Sequence, residues 1–187
     1  MGVSSYLVPI GTPLPSFSLN GVDGVQVKSS DLTGPALLVA FLSNHCPYVK
    51  HVERGFAAFA ADAAARGAAV VAISSNDVGI KPEDDVPGLR AQIARAGFGF
   101  PYLLDPTQEV ALEFHAACTP DFFLYGADRR LAYRGAFDRS RPGNREPVTG
   151  ELLRTALDLV LGGEAVPEPH TPSMGCGIKW APGNRPA

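Results

Sequence analysis

Cys46 is the residue whose type and setting best suit chemistry. It ends the polar break SNHC after the apolar run ALLVAFL, and Pro47 follows it at the start of a helical pattern. A helix N-terminus presents unpaired N–H groups and a partial positive charge, and both favour a thiolate over a thiol. Pro47 suits the first helical position, where a missing N–H breaks no bond. Lys50 lies one helical turn on and is a candidate to add positive charge, and His45 is the adjacent residue. These neighbours predict a reactive thiol rather than a small buried hydrophobe.

Two other cysteines could answer it. Cys176 stands between glycines in SMGCGIKW, and a thiol on a flexible, Gly-flanked segment can swing to a partner, as a resolving cysteine must. A Cys46–Cys176 bond would close a loop of about 130 residues, a constraint of roughly 5 kcal/mol at most on the unfolded chain. Such a bond needs the tail to dock at the helix start. Cys118 precedes Thr119-Pro120 where a strand begins, and a proline there belongs to an edge or a cis bond. Cys118 reads as a half-buried cysteine beside a structural proline, and as the second candidate to resolve Cys46.

Other chemistries fit poorly. His45, Cys46, His115 and Cys118 contain a His-x-x-Cys step, but adjacent residues rarely share one tetrahedral ion and no CxxC or HxxxH pair is present. No metal is expected. Gly21, Gly24, Gly97 and Gly99 lack the spacing of a phosphate-cradling loop, and no GxSxG elbow occurs. Arg139, Arg141 and Arg145 could grip an anionic substrate, but a solvated charged loop accounts for them better.

The elements that must hold Cys46 follow from periodicity. Asn20-Gly21 and Asp23-Gly24 between short apolar stretches predict an N-terminal hairpin. ALLVAFL (Ala36 to Leu42) and AAVVAIS (Ala68 to Ser74) are continuous apolar runs of strand length, as in a sheet covered on both faces. Between them Val49, Val52, Phe56, Phe59, Ala60 and Ala63 recur at helical spacing, closed by Arg66-Gly67. A helix opening at Pro87 and ending at Gly97, a strand in FPYLLD and a short helix in PTQEVALEFHA come next. A hairpin turning at Gly126-Ala127-Asp128 follows, and then a helix capped at Thr149 with Leu152, Leu153, Ala156, Leu157 and Val160 as its apolar stripe. From Gly162 the chain is rich in Pro and Gly and is expected to pack on the domain as a tail or stay mobile. The order predicts an α/β sandwich with a mixed sheet over residues 1–162 and a tail over 163–187 that carries Cys176.

Composition limits the partners. The 187 residues suffice for one domain, and 45% hydrophobic with 19% charged residues is a globular balance. A net charge of −3 argues against nucleic acid and anionic membranes. The longest apolar run, Pro35 to Leu42, is far short of a membrane span. Three cysteines, an odd number, and a start lacking the pattern of a secretory leader point to a cytoplasmic protein with reduced thiols.

HCPYVKH at a helix start, PYLLDPTQEVA, CTPDFFLY, SRPGN and the closing GCGIKW together resemble the peroxiredoxin-like (redoxin, alkyl hydroperoxide reductase/thiol-specific antioxidant) branch of the thioredoxin-like superfamily, from about Pro13 to Trp180. The resemblance implies a three-layer thioredoxin-like fold, a central mixed sheet between helices with an N-terminal hairpin extension. It puts Cys46 at the first position of the thioredoxin CxxC motif and Val49 at the second, and makes Thr119-Pro120 the cis-proline turn beside the active cysteine. With Val49 in place of a second cysteine, the dithiol cycle of a thioredoxin is not implied. Nor is the Pro-x-x-x-Thr/Ser-x-x-Cys motif of peroxiredoxins present.

The first expectation is a thiol–disulfide oxidoreductase without a cofactor, in which Cys46 attacks and Cys176, or else Cys118, resolves. Pro47, Lys50, His45, Thr119 and Pro120 would support it, and the Thr119 backbone would align an extended partner chain. Its substrates would be a disulfide-containing protein, a small thiol or a peroxide, recycled by thioredoxin or a low-molecular-weight thiol. A thiol peroxidase is the second expectation, and a redox-silent binding module on the same fold is the third.

Overall fold

The computed structural model describes residues 2–186; Met1 and Ala187, the outermost residues of the expected body and tail, lie outside the described residues. In chain order the first half contains β1 (Val3–Ser4), β2 (Ser18–Gly21), β3 (Gln26–Lys28), β4 (Ala36–Phe41), α1 (Pro47–Ala65) and β5 (Ala69–Ser74). Then come α2 (Val86–Ala96), β6 (Tyr102–Leu104), α3 (Glu109–Glu113), β7 (Cys118–Thr119), β8 (Asp121–Gly126), β9 (Leu131–Gly135), α4 (Glu151–Leu161) and β10 (Met174–Gly177).

Seven strands form one mixed sheet in the order β3-β2-β6-β5-β4-β8-β9. The two apolar runs lie at its centre: β4 pairs parallel with β5 and antiparallel with β8. Alternation along β4 divides the core, since successive side chains point to opposite faces. Leu38 and Ala40 join Val49, Phe56 and Phe59 of α1, Leu89 of α2 and Leu153 and Leu157 of α4 on one face. Leu37, Val39 and Phe41 join Val110 and Ala111 of α3, Phe114 and Phe123 on the other. Three layers result, with Phe56 as the aromatic hub of the first core, its ring centroid 5.2 Å from Phe122 and 5.4 Å from Phe100.

The predicted hairpin is β2–β3, registered Ser18 to Lys28 and Asn20 to Gln26. It extends the main sheet, because β2 also pairs with β6. Two details differ from expectation. Gly150, with φ 67°, caps α4 in place of Thr149, because the loop is organised by the buried Asp138, whose Oδ2 accepts both the Thr149 and Gly150 N–H at 2.8 Å. Asp85 caps α2 by accepting from Gly88 N at 2.8 Å, with Gly97 (φ 78°) closing it as expected. A second sheet, β1-β10-β7, was not anticipated; it is made of strands two to four residues long.

Candidate active site

The site is assembled where α1, β7 and β10 meet. Cys46 is the N-cap of α1, with extended backbone angles (φ −74°, ψ 123°), and Pro47 opens the helix. The stripe of α1 that packs on the sheet fixes this end, and β4 delivers the chain to it. Cys46 has no exposed surface. Its Sγ lies 3.1 Å from the Thr119 carbonyl oxygen, which accepts from it when it is a thiol. The Thr119–Pro120 bond is cis. Thr119 Oγ1 is itself tied to Ser43 Oγ at 2.8 Å, so the loop before α1 is joined to β7 beside the thiol.

Cys176 completes the pair. The tail is docked: β10 runs antiparallel to β7, with Cys176 opposite Thr119 and Gly177 opposite Cys118. This register places Cys176 Sγ 2.8 Å from Cys46 Sγ, both cysteines being free thiols. Anchors on either side hold the strand. Ser5 N donates to Ser173 O at 2.9 Å before it, and Lys179 N donates to Asn76 Oδ1 at 2.8 Å after it. The buried Gln108 bridges Ser75 O, Lys179 O and Ala181 N. Cys176 thus reaches Cys46 by strand pairing, not by the swing of a loose segment.

The two sulfurs share one proton. Hydrogen bonding from the Cys176 thiol is the largest influence on Cys46; burial opposes it, while the Val49 and Cys176 backbones and the Thr119 side chain add to it, bringing the Cys46 thiol down to about 6. The Val49 contribution is the helix N-terminus acting on its own cap. Cys176 moves the other way, held protonated chiefly by its bond to Cys46 and by its own burial. At neutral pH the pair is therefore a Cys46 thiolate accepting from a Cys176 S–H.

Lys50 is not among the groups that lower Cys46 most. Its side chain is exposed, and the groups that depress Cys46 are hydrogen-bond donors rather than a cation. A solvated ammonium is screened and contributes little. Its backbone N–H instead bonds the Cys46 carbonyl at 3.0 Å. Cys118 is fully buried, and burial followed by the nearby Asp121 pushes its thiol far up, so it stays protonated and unreactive. His115, the other member of the His-x-x-Cys step, is exposed. Among the described residues no three His, Cys, Asp or Glu side chains converge as a cation site.

His45 is held by an aspartate that sequence reasoning missed. Asp84 Oδ2 meets His45 Nδ1 at 2.7 Å and Asn76 Nδ2 at 2.7 Å, and its Oδ1 accepts the Asn44 and His45 backbone N–H at 2.7 and 2.9 Å. Asp84 therefore sets the path of the chain into Cys46. Burial works against its charge, but the His45 and Asn76 donors prevail and hold the carboxyl below the usual carboxylate range. A depressed folded value means that stability is gained above the unfolded value near pH 4 and lost as pH falls through the lower folded one. Asp84→Ala strands those buried donors and is expected to cost on the order of 3 kcal/mol in urea unfolding at pH 7. The deficit should shrink as pH falls below about 4, where wild type loses the same contribution.

Asp121 was also unmarked. It follows the cis-proline, has no exposed surface, and burial pushes its carboxyl up to about 8, so it is protonated at neutral pH. An acidic residue heading the otherwise apolar strand DFFLYG was the available signal. Nothing in the sequence marks Asp84 within the loop PEDD.

A mixed sheet between helices, with a cysteine capping the first long helix and a cis-proline turn against its sulfur, defines a thioredoxin-like protein. Residues 10–134 match the AhpC/TSA family, and the chain belongs to that family. Similar solved structures include an uncharacterized conserved protein from Geobacillus kaustophilus (45% identity, 97% of each chain, TM-score 0.94). A hypothetical protein from Sinorhizobium meliloti 1021 is 47% identical, over 96% of this chain and 99% of that one, with a TM-score of 0.94. A secreted Mycobacterium tuberculosis disulfide oxidoreductase shares the fold at 15% identity, over 76% of this chain and 94% of its own (TM-score 0.60). No curated protein matches the sequence. No helix among the described residues is long and apolar enough to cross a membrane.

Proposed function

We propose that the protein is a thiol–disulfide oxidoreductase working through Cys46 and Cys176. The observation that carries this reading is the pair itself, two free sulfurs 2.8 Å apart with one acidic thiol at a helix N-terminus. The Cys46 thiolate attacks a disulfide RSSR, one RS⁻ leaves and takes a proton, and a mixed disulfide remains on Cys46. Cys176 loses its proton to solvent and attacks the Cys46 sulfur, which releases the second RS⁻ and leaves a Cys46–Cys176 bond. Two equivalents of an external thiol then reduce that bond. Cys46 is the better leaving group because its thiolate is the more stable, and Cys176, partly exposed, is the sulfur an incoming thiol meets. A reducing compartment such as the cytoplasm suits this cycle, because the reductant must be present in excess.

Family membership favours a second reading, hydroperoxide reduction. The thiolate would attack the peroxide oxygen and release an alcohol, and the Cys46 sulfenic acid would condense with Cys176 to give the same disulfide and water. Turnover of hydroxyethyl disulfide and of hydrogen peroxide by glutathione, measured from pH 5 to 9, separates the two. For the disulfide, kcat/KM should rise with pH through a midpoint near 6, since thiolate is the reactive form and is lost below it. A rate no greater than that of free cysteine would contradict the assignment.

A further inference from the structure

The backbone edge of β7 beside Cys46 is already filled. Resolved to individual pairs, β10 lies on β7 in the register that brings its own cysteine to 2.8 Å from Cys46. A cystine carried by a polypeptide would have to use that same edge, because strand addition there is what aligns a sulfur with Cys46. The outer side of β10 is closed as well, since β1 pairs with it through Val3–Gly175 and Ser4–Met174. Gly175 makes the fit this close: a Cβ at that position would stand 1.9 Å from the Thr119 carbonyl oxygen. The glycine flanking Cys176 is therefore a packing requirement of an occupied edge, not a hinge.

Resting on the assignment of Cys46 and Cys176 as the redox pair, we propose that β10 occupies the polypeptide-docking edge as a built-in pseudo-substrate, so that the oxidised substrate is a low-molecular-weight disulfide and not a polypeptide cystine. A small disulfide needs no strand edge. Cys176, itself partly exposed, lies directly against the buried Cys46 sulfur, so a small disulfide asks only for a local displacement there. A polypeptide would need the whole strand, with its anchors at Ser173 and Lys179, to leave. The electron balance is that of the cycle above: one small disulfide is reduced to two thiols as the Cys46–Cys176 bond forms.

The test compares the full chain on two disulfides, hydroxyethyl disulfide and insulin, with glutathione as reductant in both. Wild type should turn over the small disulfide and leave insulin within twofold of the uncatalysed rate. Gly175→Ala, which pushes β10 off β7, should raise insulin reduction at least tenfold and lower the yield of Cys46–Cys176 disulfide. Comparable kcat/KM on both disulfides in wild type would overturn the proposal and leave the redox pair standing. Turnover of hydrogen peroxide but of neither disulfide would also overturn it, in favour of a hydroperoxide, and failure on all three would remove the redox assignment itself. The wild-type comparison decides the question even if Gly175→Ala does not fold.

Discussion

Cys46→Ser is expected to lower disulfide turnover at least ~10³-fold while leaving the fold intact. The hydroxyl is similar in size and can keep the hydrogen bond to the Thr119 carbonyl, so the N-cap and the α1 packing survive. It does not ionise near neutral pH, however, and no second thiol can replace it. Cys118 is buried and held protonated, and Cys176, although relieved of the Cys46 contact that raises it, is still opposed by its own burial and lies on β10, away from the helix N–H that helps to lower Cys46. Steady-state turnover of hydroxyethyl disulfide, with circular dichroism as the control for folding, measures the effect. More than about a tenth of wild-type activity would mean that the nucleophile lies elsewhere.

Cys176→Ala should have the second-largest effect, and it should be visible in Cys46. The Cys176 thiol is the main group lowering Cys46, so its removal should move the midpoint of Cys46 alkylation by iodoacetamide up from about 6 toward the ordinary thiol range. At pH 7 the variant would carry less thiolate, and initial attack should slow several-fold. A qualitative change accompanies it: with no resolving sulfur at 2.8 Å, the mixed disulfide between Cys46 and the substrate should accumulate, detectable as an added mass on intact protein. An unchanged midpoint with no trapped adduct would contradict the shared-proton pair.

The parts of the site that rest on local pattern were legible in the sequence. The buried runs that became β4 and β5, the apolar stripe of α1 and the Cys46-Pro47 helix start each depend on residues a few positions apart, where periodicity carries information. The parts that rest on distant pairing were not. β7 and β10 are two and four residues long, too short for any alternation to show, and their partnership depends on backbone bonds across more than fifty residues of chain. The Gly- and Pro-rich composition of the tail left open whether it packs or stays mobile, because its order comes from side chains outside it: Ser5, Asn76 and Gln108. Asp84 was invisible for the same reason, since a loop carboxylate becomes structural only when the fold surrounds it with donors. Lys50 shows the converse, because sequence proximity suggested a charge effect on Cys46 that exposure to water removes.

Whether Cys46 and Cys176 form one reversible disulfide is read out by non-reducing peptide mapping with mass spectrometry. After treatment with hydroxyethyl disulfide, and separately with mild hydrogen peroxide, a single linked species joining the Cys46 and Cys176 peptides is expected. Cys118 should remain unmodified, and glutathione should restore both thiols. Cys46 recovered as a sulfinic acid or a stable mixed disulfide, with Cys176 still free, would rule out the paired disulfide and leave a lone reactive thiol.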